Sequence, residues 1–184
     1  PVVATVDAEG VVSINMGEPQ FEPKHIPFAA DGPFVASGPF AADGSQARYR
    51  LTVGDEEIEL DAVSLGNPHV VIEVDDVDAV PLERLGPAIQ ASPAFPQGVN
   101  VGVVKRHDRS RVVLRVFERG VGETEACGTG ACAAVAVLRA RQEVDEAVAV
   151  DLRGGRLHIS WEGFGAPLWM TGPTSYVFEG EIEI

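Results

Sequence analysis

Chemistry in this sequence concentrates on Cys127, which sits within an almost unbroken run of charged, glycine and small residues from Glu118 to Ala134. A strand-like apolar run, 112–117, leads in, and a stretch of small apolar residues, 131–140, follows and reads as a buried helix. Cys127 therefore falls at the helix start, with Gly128 and Gly130 just beyond it. The first N–H groups of a helix have no intrahelical acceptor, and the macrodipole places partial positive charge there. Both effects favour a thiolate and are expected to lower the cysteine pKa from about 8.5 towards neutrality. The glycines let the backbone approach an anion, and Thr129 adds a hydroxyl, so a cysteine base and a carboxylate cradle would share one turn. A Gly/Ala-rich helix start with a cysteine can also be mere close packing. Against that stand Glu118, Arg119, Glu123 and Glu125, a charged cluster that a purely structural connection would not need.

A thiolate beside a carboxylate cradle could remove a weakly acidic proton next to that carboxylate, which requires preorganised donors for the developing carbanion and exclusion of water. Inversion requires a base on each face of the carbon. Cys132 cannot be the second one. Five residues along a helix give a rise of about 7.5 Å and a rotation of about 140°, which places Cys132 on an Ala-rich face expected to be core. The same geometry is poor for a disulfide. A metal site is not expected either, since two cysteines and the scattered His25, His69, His107 and His158 lack structural-site spacing.

The elements that must position Cys127 read as many short strands around one long apolar helix. Strands are expected at 2–6 and 11–16, followed by a proline-punctuated linker over 15–28 and a loop or insertion over 29–47. Further strands are expected at 48–53 and 57–63 around a turn, then at 70–74 and from 101 through Val104. Between these last two lies a short amphipathic helix over 80–89. Residues 107–111 read as an exposed hairpin turn, and strands at 147–152, 156–161 and 168–172 follow the long helix. The turn at Arg153-Gly154-Gly155-Arg156 has no helix after it, so it reads as a hairpin and not as a phosphate loop. The β-α repeat of a parallel sheet is missing. The expected class is α+β, with a curved, mainly antiparallel sheet wrapped around a central helix. Asn67 and His69 stand at a strand entrance. Asn67-Pro68 is a turn signal in its own right, while the polar pair could also face a ligand.

The run from Glu118 to Ala134 resembles the C-terminal signature of the diaminopimelate epimerase family. Gly66-Asn67-Pro68-His69 and Phe95-Pro96-Gln97-Gly98-Val99-Asn100-Val101 are similar to two further motifs of that family, and residues 172–182 resemble its closing strand. Gly98 departs from the pattern by standing where an arginine is common. The resemblance covers essentially this whole chain but only about the last two-thirds of such an enzyme. The N-terminal domain, with its Cys-Gly-Asn-Gly motif, is missing apart from strands near each end, in keeping with a chain that opens on Pro1 inside a strand. The resemblance implies residues 1–27 as the tail of that domain plus linker, 28–172 as the C-terminal epimerase domain, and 173–184 as a closing strand returning to the N-terminal domain. It further implies a cytoplasmic, cofactor-independent isomerase of lysine biosynthesis that interconverts LL- and meso-diaminopimelate between two cysteines. Here Cys127 would be one of those cysteines, assisted by Glu118, with His69 serving the cysteine of the other domain. Asn67, Asn100, Glu118 and Arg119 would contact substrate, Arg119 through its bidentate fork. Gly128 and Thr129 would cradle the reacting carboxylate. The resemblance leaves a homodimer open.

Composition bounds the partners. The chain has 184 residues and a formal net charge of -14, a surface that repels nucleic acid and anionic membranes. It does not exclude a small anion held by Arg119 or a helix start. Other proton-shuttling racemases of the same fold, and a carboxylate-binding module without chemistry, remain as alternatives. A cysteine hydrolase would need a histidine beside Cys127, and none is placed there.

Overall fold

The apolar run Val70-Val71-Ile72 shows how this chain divides its core. Val71 is buried in one hydrophobic cluster while Val70 and Ile72 are buried in a second. Successive strand residues point to opposite faces, so a continuous apolar run marks a strand covered on both sides. The structure is a computed structural model that describes residues 3–8, 10–28, 35–37, 48–175 and 177–182.

The strands are β1 (Ala4–Val6), β2 (Val11–Gly17), β3 (Val35–Ser37), β4 (Arg48–Val53), β5 (Glu56–Ser64), β6 (Pro68–Glu73), β7 (Asn100–Arg106), β8 (Arg111–Glu118), β9 (Gly122–Thr124), β10 (Ala147–Leu152), β11 (Gly155–Ser160) and β12 (Leu168–Pro173). The helices are α1 (Leu82–Gln90) and α2 (Gly128–Ala140), and Pro23–His25 forms a 3-10 turn. The class is α+β. One sheet runs in the order β1-β2-β12-β11-β10-β8-β7-β6-β5-β4-β3, with β9 folded back onto β8. Nine of the eleven strand pairings among the described residues are antiparallel. The exceptions are β6 with β7 and β8 with β10. Parallel neighbours need a crossover of a dozen or more residues, and α1 and α2 lie in those two crossovers. The β-α repeat of a parallel sheet is absent among the described residues, and the two parallel pairs come from single crossovers. Both were hidden in the sequence because each helix occurs singly.

The two helices anchor the two clusters. α2 is buried without interruption from Gly130 to Leu138 and packs against β5, β6, β7, β8, β11 and β12. A helix apolar all round belongs inside, and its alanines keep it thin enough for strands to approach. Val112, Leu114, Val116, Val148, Val150, Ile159, Trp161 and Leu168 share its cluster, each large side chain contributing about 1.5–3 kcal/mol by full burial. α1 places Leu82 and Ile89 with Ile26, Leu51, Leu60, Phe95, Val101 and Val103 in the other. Gly86 lets α1 close on the sheet, since a Cβ there would lie 2.4 Å from the Phe117 ring.

Arg141 caps the far end of α2, where a cation complements the last carbonyls. It reaches Asp61 at 3.0 Å, and Glu73 and Glu143 at 2.6 Å each. Burial pushes the Asp61 carboxyl up to about 6, with Arg141 and Arg48 pulling it back.

One expectation changes. Within 29–47 the described residues form strand β3 on β4, and the rest of that stretch lies outside the described residues. The described residues of 174–182 have no regular structure.

Candidate active site

Residue 127 is the N-cap of α2, with extended backbone at φ −138° and ψ 106°. The first intrahelical bond runs from the Ala131 N–H to the Cys127 carbonyl. The N–H groups of Gly128 and Thr129 precede the first intrahelical donor, and such groups are suited to an anion. Glycine is required at 130 for space. A Cβ there would come within 2.9 Å of Val116 Cγ2 and 3.2 Å of Cys127 Sγ. Met170 closes over Gly128 in the same way, at 2.9 Å.

From Cys127 a line of polar contacts crosses three strand ends. Thr129 Oγ1 lies 3.6 Å from Cys127 Sγ and accepts from Asn67 Nδ2 at 3.3 Å. The Thr129 hydroxyl proton is then free to point at the sulfur. Asn67 Oδ1 lies 3.0 Å from His69 Nε2, so the amide orientation makes Nε2–H the donor. Asn100 Nδ2 is 3.5 Å from the same ring nitrogen, a close polar contact and not a hydrogen bond once Nε2 carries its proton. Asn100 Oδ1 accepts from the Arg119 N–H at 2.8 Å. The Arg119 guanidinium donates to the Gln97 carbonyl at 2.7 Å.

The register explains why the sequence brings these residues together. His69 and Asn100 are paired neighbours where the parallel strands β6 and β7 begin, and Val101 pairs with Phe117 near the end of β8. Asn67, His69, Asn100 and Arg119 thus cluster at one end of the sheet, at the level of the α2 start. All eight expected site residues (Asn67, His69, Asn100, Glu118, Arg119, Cys127, Gly128 and Thr129) belong to this neighbourhood. Gly98, the departure from the expected motif, has φ +70°, and a Cβ there would lie 2.8 Å from Arg119 Cδ. The glycine makes room for the stem of Arg119.

The electrostatics correct one expectation. The Cys127 thiol is only 6% exposed, and burial pushes its pKa up, not down. The Thr129 hydroxyl and the Gly130 N–H pull the other way, while Glu118 raises it through charge and a hydrogen bond to the protonated thiol. Desolvating the sulfur outweighs these two donors. His69 is 1% exposed, and burial together with the Arg119 charge drives its pKa down to about 4. It is therefore a neutral imidazole at neutral pH, held by the Asn67 amide and packed beside Asn100.

The charged cluster also divides. Glu118 accepts from the Thr124 hydroxyl at 2.6 Å. Glu123, by contrast, takes a bidentate pair from Arg115 at 2.8 and 2.9 Å and a second cation, Arg153, at 2.8 Å. Arg115 also donates to the carbonyls of Val77 and Val80. The Gly154 N–H donates to the Glu125 carbonyl at 2.7 Å. Glu123 is thus structural, and Glu125 is tied in through its backbone carbonyl. The turn at Arg153 and Gly154, read as a bare hairpin, holds the approach to Cys127. Arg115, Thr124 and Arg153 were missed by sequence reasoning. An arginine inside an apolar strand was the available signal for the first.

Among the described residues, no group of three or more His, Cys, Asp or Glu is arranged to hold a metal ion. No helix among them is long and apolar enough to cross a membrane.

Comparisons with known proteins agree on the fold and the family. A solved hydroxyproline epimerase from Agrobacterium vitis, with bound trans-4-OH-L-proline, superposes with a TM-score of 0.58 at 19% identity, over 96% of this chain and 55% of that one. A Bacillus anthracis phenazine biosynthesis protein of the PhzF family gives 0.55 at 17% identity, over 100% and 65%. At such identity they show the shared fold. In sequence, the chain is 51% identical over 177 residues to a diaminopimelate epimerase of Alkalilimnicola ehrlichii, covering 96% of this chain and 59% of that protein. It is 48% identical over 183 residues to that of Nitrosomonas europaea, covering 100% and 62%. The chain therefore spans about 60% of the length of these curated relatives. The family model described as diaminopimelate epimerase matches residues 61–177, a span that holds Asn67, His69, Asn100 and the whole run through Cys127, and the chain belongs to the diaminopimelate epimerase family.

Proposed function

We propose that this chain supplies one cysteine and most of the substrate-holding groups of an enzyme that epimerises LL-diaminopimelate to meso-diaminopimelate without a cofactor. The carrying observation is the polar line from Cys127 through Thr129, Asn67, His69 and Asn100 to Arg119. It joins a proton-transfer group to a carboxylate-binding group at the start of one helix. In this reading one thiolate removes the α-proton from one face while a thiol delivers a proton to the other. One C–H bond breaks, its mirror forms, and the two cysteines exchange protonation states. The raised pKa of Cys127 suits the thiol member of the pair, with Glu118 holding its proton. Gly128 and Thr129 N–H groups would stabilise the carboxylate as negative charge develops. Arg119, with Asn67 and Asn100, would hold the distal amino acid end.

The finer architecture belongs to the same proposal. The sheet curves around α2 as a central helix, residues 28–172 form the C-terminal epimerase domain, and residues 1–27 and 173–184 belong with an N-terminal domain that carries the second cysteine. The substrate would lie between the two, in the cytoplasm. The test uses a form of the protein with the length of its relatives. Cys127→Ala should abolish inversion while circular dichroism and diaminopimelate affinity stay close to wild type. Retained inversion would remove Cys127 from the reaction. Unchanged affinity with no inversion in either form would favour a carboxylate-binding module.

A further inference from the structure

We propose that Thr124 is a positioning residue for proton transfer at Cys127, its hydroxyl holding the Glu118 carboxylate where it meets the thiol. This rests on the reading of Cys127 and Glu118 as partners in proton transfer. The geometry comes from the small β8–β9 hairpin. Val116 faces Thr124 and Glu118 faces Gly122, so Glu118 and Thr124 are diagonal neighbours on one face of the ribbon, within reach of each other. Gly122, at φ +107°, presents no side chain opposite Glu118. The carboxylate can therefore lean across to Thr124 Oγ1, which donates to Glu118 Oε1 at 2.6 Å. A hydrogen bond to a charged oxygen is among the stronger ones.

The opposite face of the same ribbon is clamped independently. Successive strand residues alternate, so Glu123 points away from Thr124 and into the fork of Arg115. That clamp fixes β9, and β9 fixes the hydroxyl. Val116, two residues before Glu118 on the same face of β8, meets the Cys127 sulfur around Gly130, where an added Cβ would lie 2.9 Å from Val116 Cγ2 and 3.2 Å from Cys127 Sγ. That face therefore brings the Glu118 carboxylate towards the thiol, where it adds to the burial that raises the thiol's pKa. The contacts follow in series: Arg115 holds Glu123, β9 presents Thr124, Thr124 orients Glu118, and Glu118 adds to the burial that favours the protonated Cys127 thiol. Without the hydroxyl, Glu118, which is only partly buried, is free to turn towards water, and the thiol loses its acceptor.

The test follows alkylation of Cys127 by iodoacetamide in the 184-residue chain across pH, with peptide mass spectrometry to separate it from Cys132. This readout does not require epimerase activity. Thr124→Val keeps the shape of the side chain and removes the donor. It should accelerate alkylation at about pH 8 by roughly three- to tenfold, as the thiol ionises more readily. Thr124→Ser restores the donor and should return the rate to within about twofold of wild type. In a Glu118→Gln background, Thr124→Val should change nothing further, because the carboxylate it positions is gone. Should the valine variant not fold, Thr124→Ala makes the same comparison. Equal rates in wild type and Thr124→Val, or the same acceleration in the Glu118→Gln background, would overturn the proposal. Normal coupling in this assay with no α-proton chemistry on diaminopimelate would count against the epimerase reading alone.

Discussion

Glu123→Gln measures the clamp beneath the site. In the folded chain both carboxylate oxygens of Glu123 take donors from Arg115, whose side chain is 9% exposed against 12% for Glu123. Glutamine keeps the shape but removes the charge, leaving a nearly buried guanidinium with the Val77 and Val80 carbonyls and one amide oxygen. Stranding a buried charge and losing charge-assisted bonds should cost about 2–4 kcal/mol. For a chain of this size the melting temperature should fall by roughly 5–15 °C. Urea and thermal denaturation at neutral pH read both numbers. The sign of the pH dependence follows from the pair. The Arg115 hydrogen bonds hold the Glu123 carboxyl below its ordinary value of 4.5, Arg153 adding a smaller charge effect and burial opposing both. The stabilisation is therefore present above the unfolded value and lost as pH falls through the lower folded one. The gap between wild type and Glu123→Gln should be full at neutral pH and close in acid. Arg153 is 47% exposed, so Arg153→Ala should cost no more than about 0.5 kcal/mol. A Glu123→Gln cost below about 0.5 kcal/mol, or a gap that persists in acid, would refute the clamp.

Two further substitutions separate packing from chemistry. Cys132 is fully buried in the α2 core, so Cys132→Ala should cost about 1–2 kcal/mol in denaturation and leave the Cys127 alkylation profile in place; a changed profile would mean that Cys132 shapes the site. Arg119→Lys keeps charge and loses the fork. Because Arg119 is exposed and already bonded to the Gln97 carbonyl, kcat/KM in a form of the relatives' length should fall by about ten- to a hundredfold, and near-normal kinetics would remove Arg119 from the site.

How much of this was legible in the sequence depended on range. The helix start at Cys127 is local: a strand, glycines and an alanine run specify it within twenty or so residues, and the structure places α2 as expected. Asn67, His69 and Asn100 were legible as motifs, but the reason they meet is the β6–β7 register, which no local pattern encodes. The parallel pairs were hidden for the same cause. Strand β9 is three residues long and has no periodicity to read. The helix start at Cys127 is visible in sequence, whereas the desolvation that raises its pKa comes from burial in the α2 cluster, which only the folded sheet creates. Glu123 looked like part of a reactive cluster because its partner, Arg115, sits inside an apolar strand and reveals its role only when β9 folds back.

The central claim is that Cys127 exchanges the α-proton of a diaminopimelate held at the start of α2, and that inversion needs a second base outside this chain. The direct measurement incubates the purified 184-residue chain, and its Cys127→Ala variant, with LL- and meso-diaminopimelate in D₂O, following deuterium at the α-carbon and the configuration together. The account predicts slow deuterium incorporation that disappears in Cys127→Ala, with no inversion in either protein. Inversion by the chain alone at a rate typical of enzymes, or exchange that survives the loss of Cys127, would contradict it.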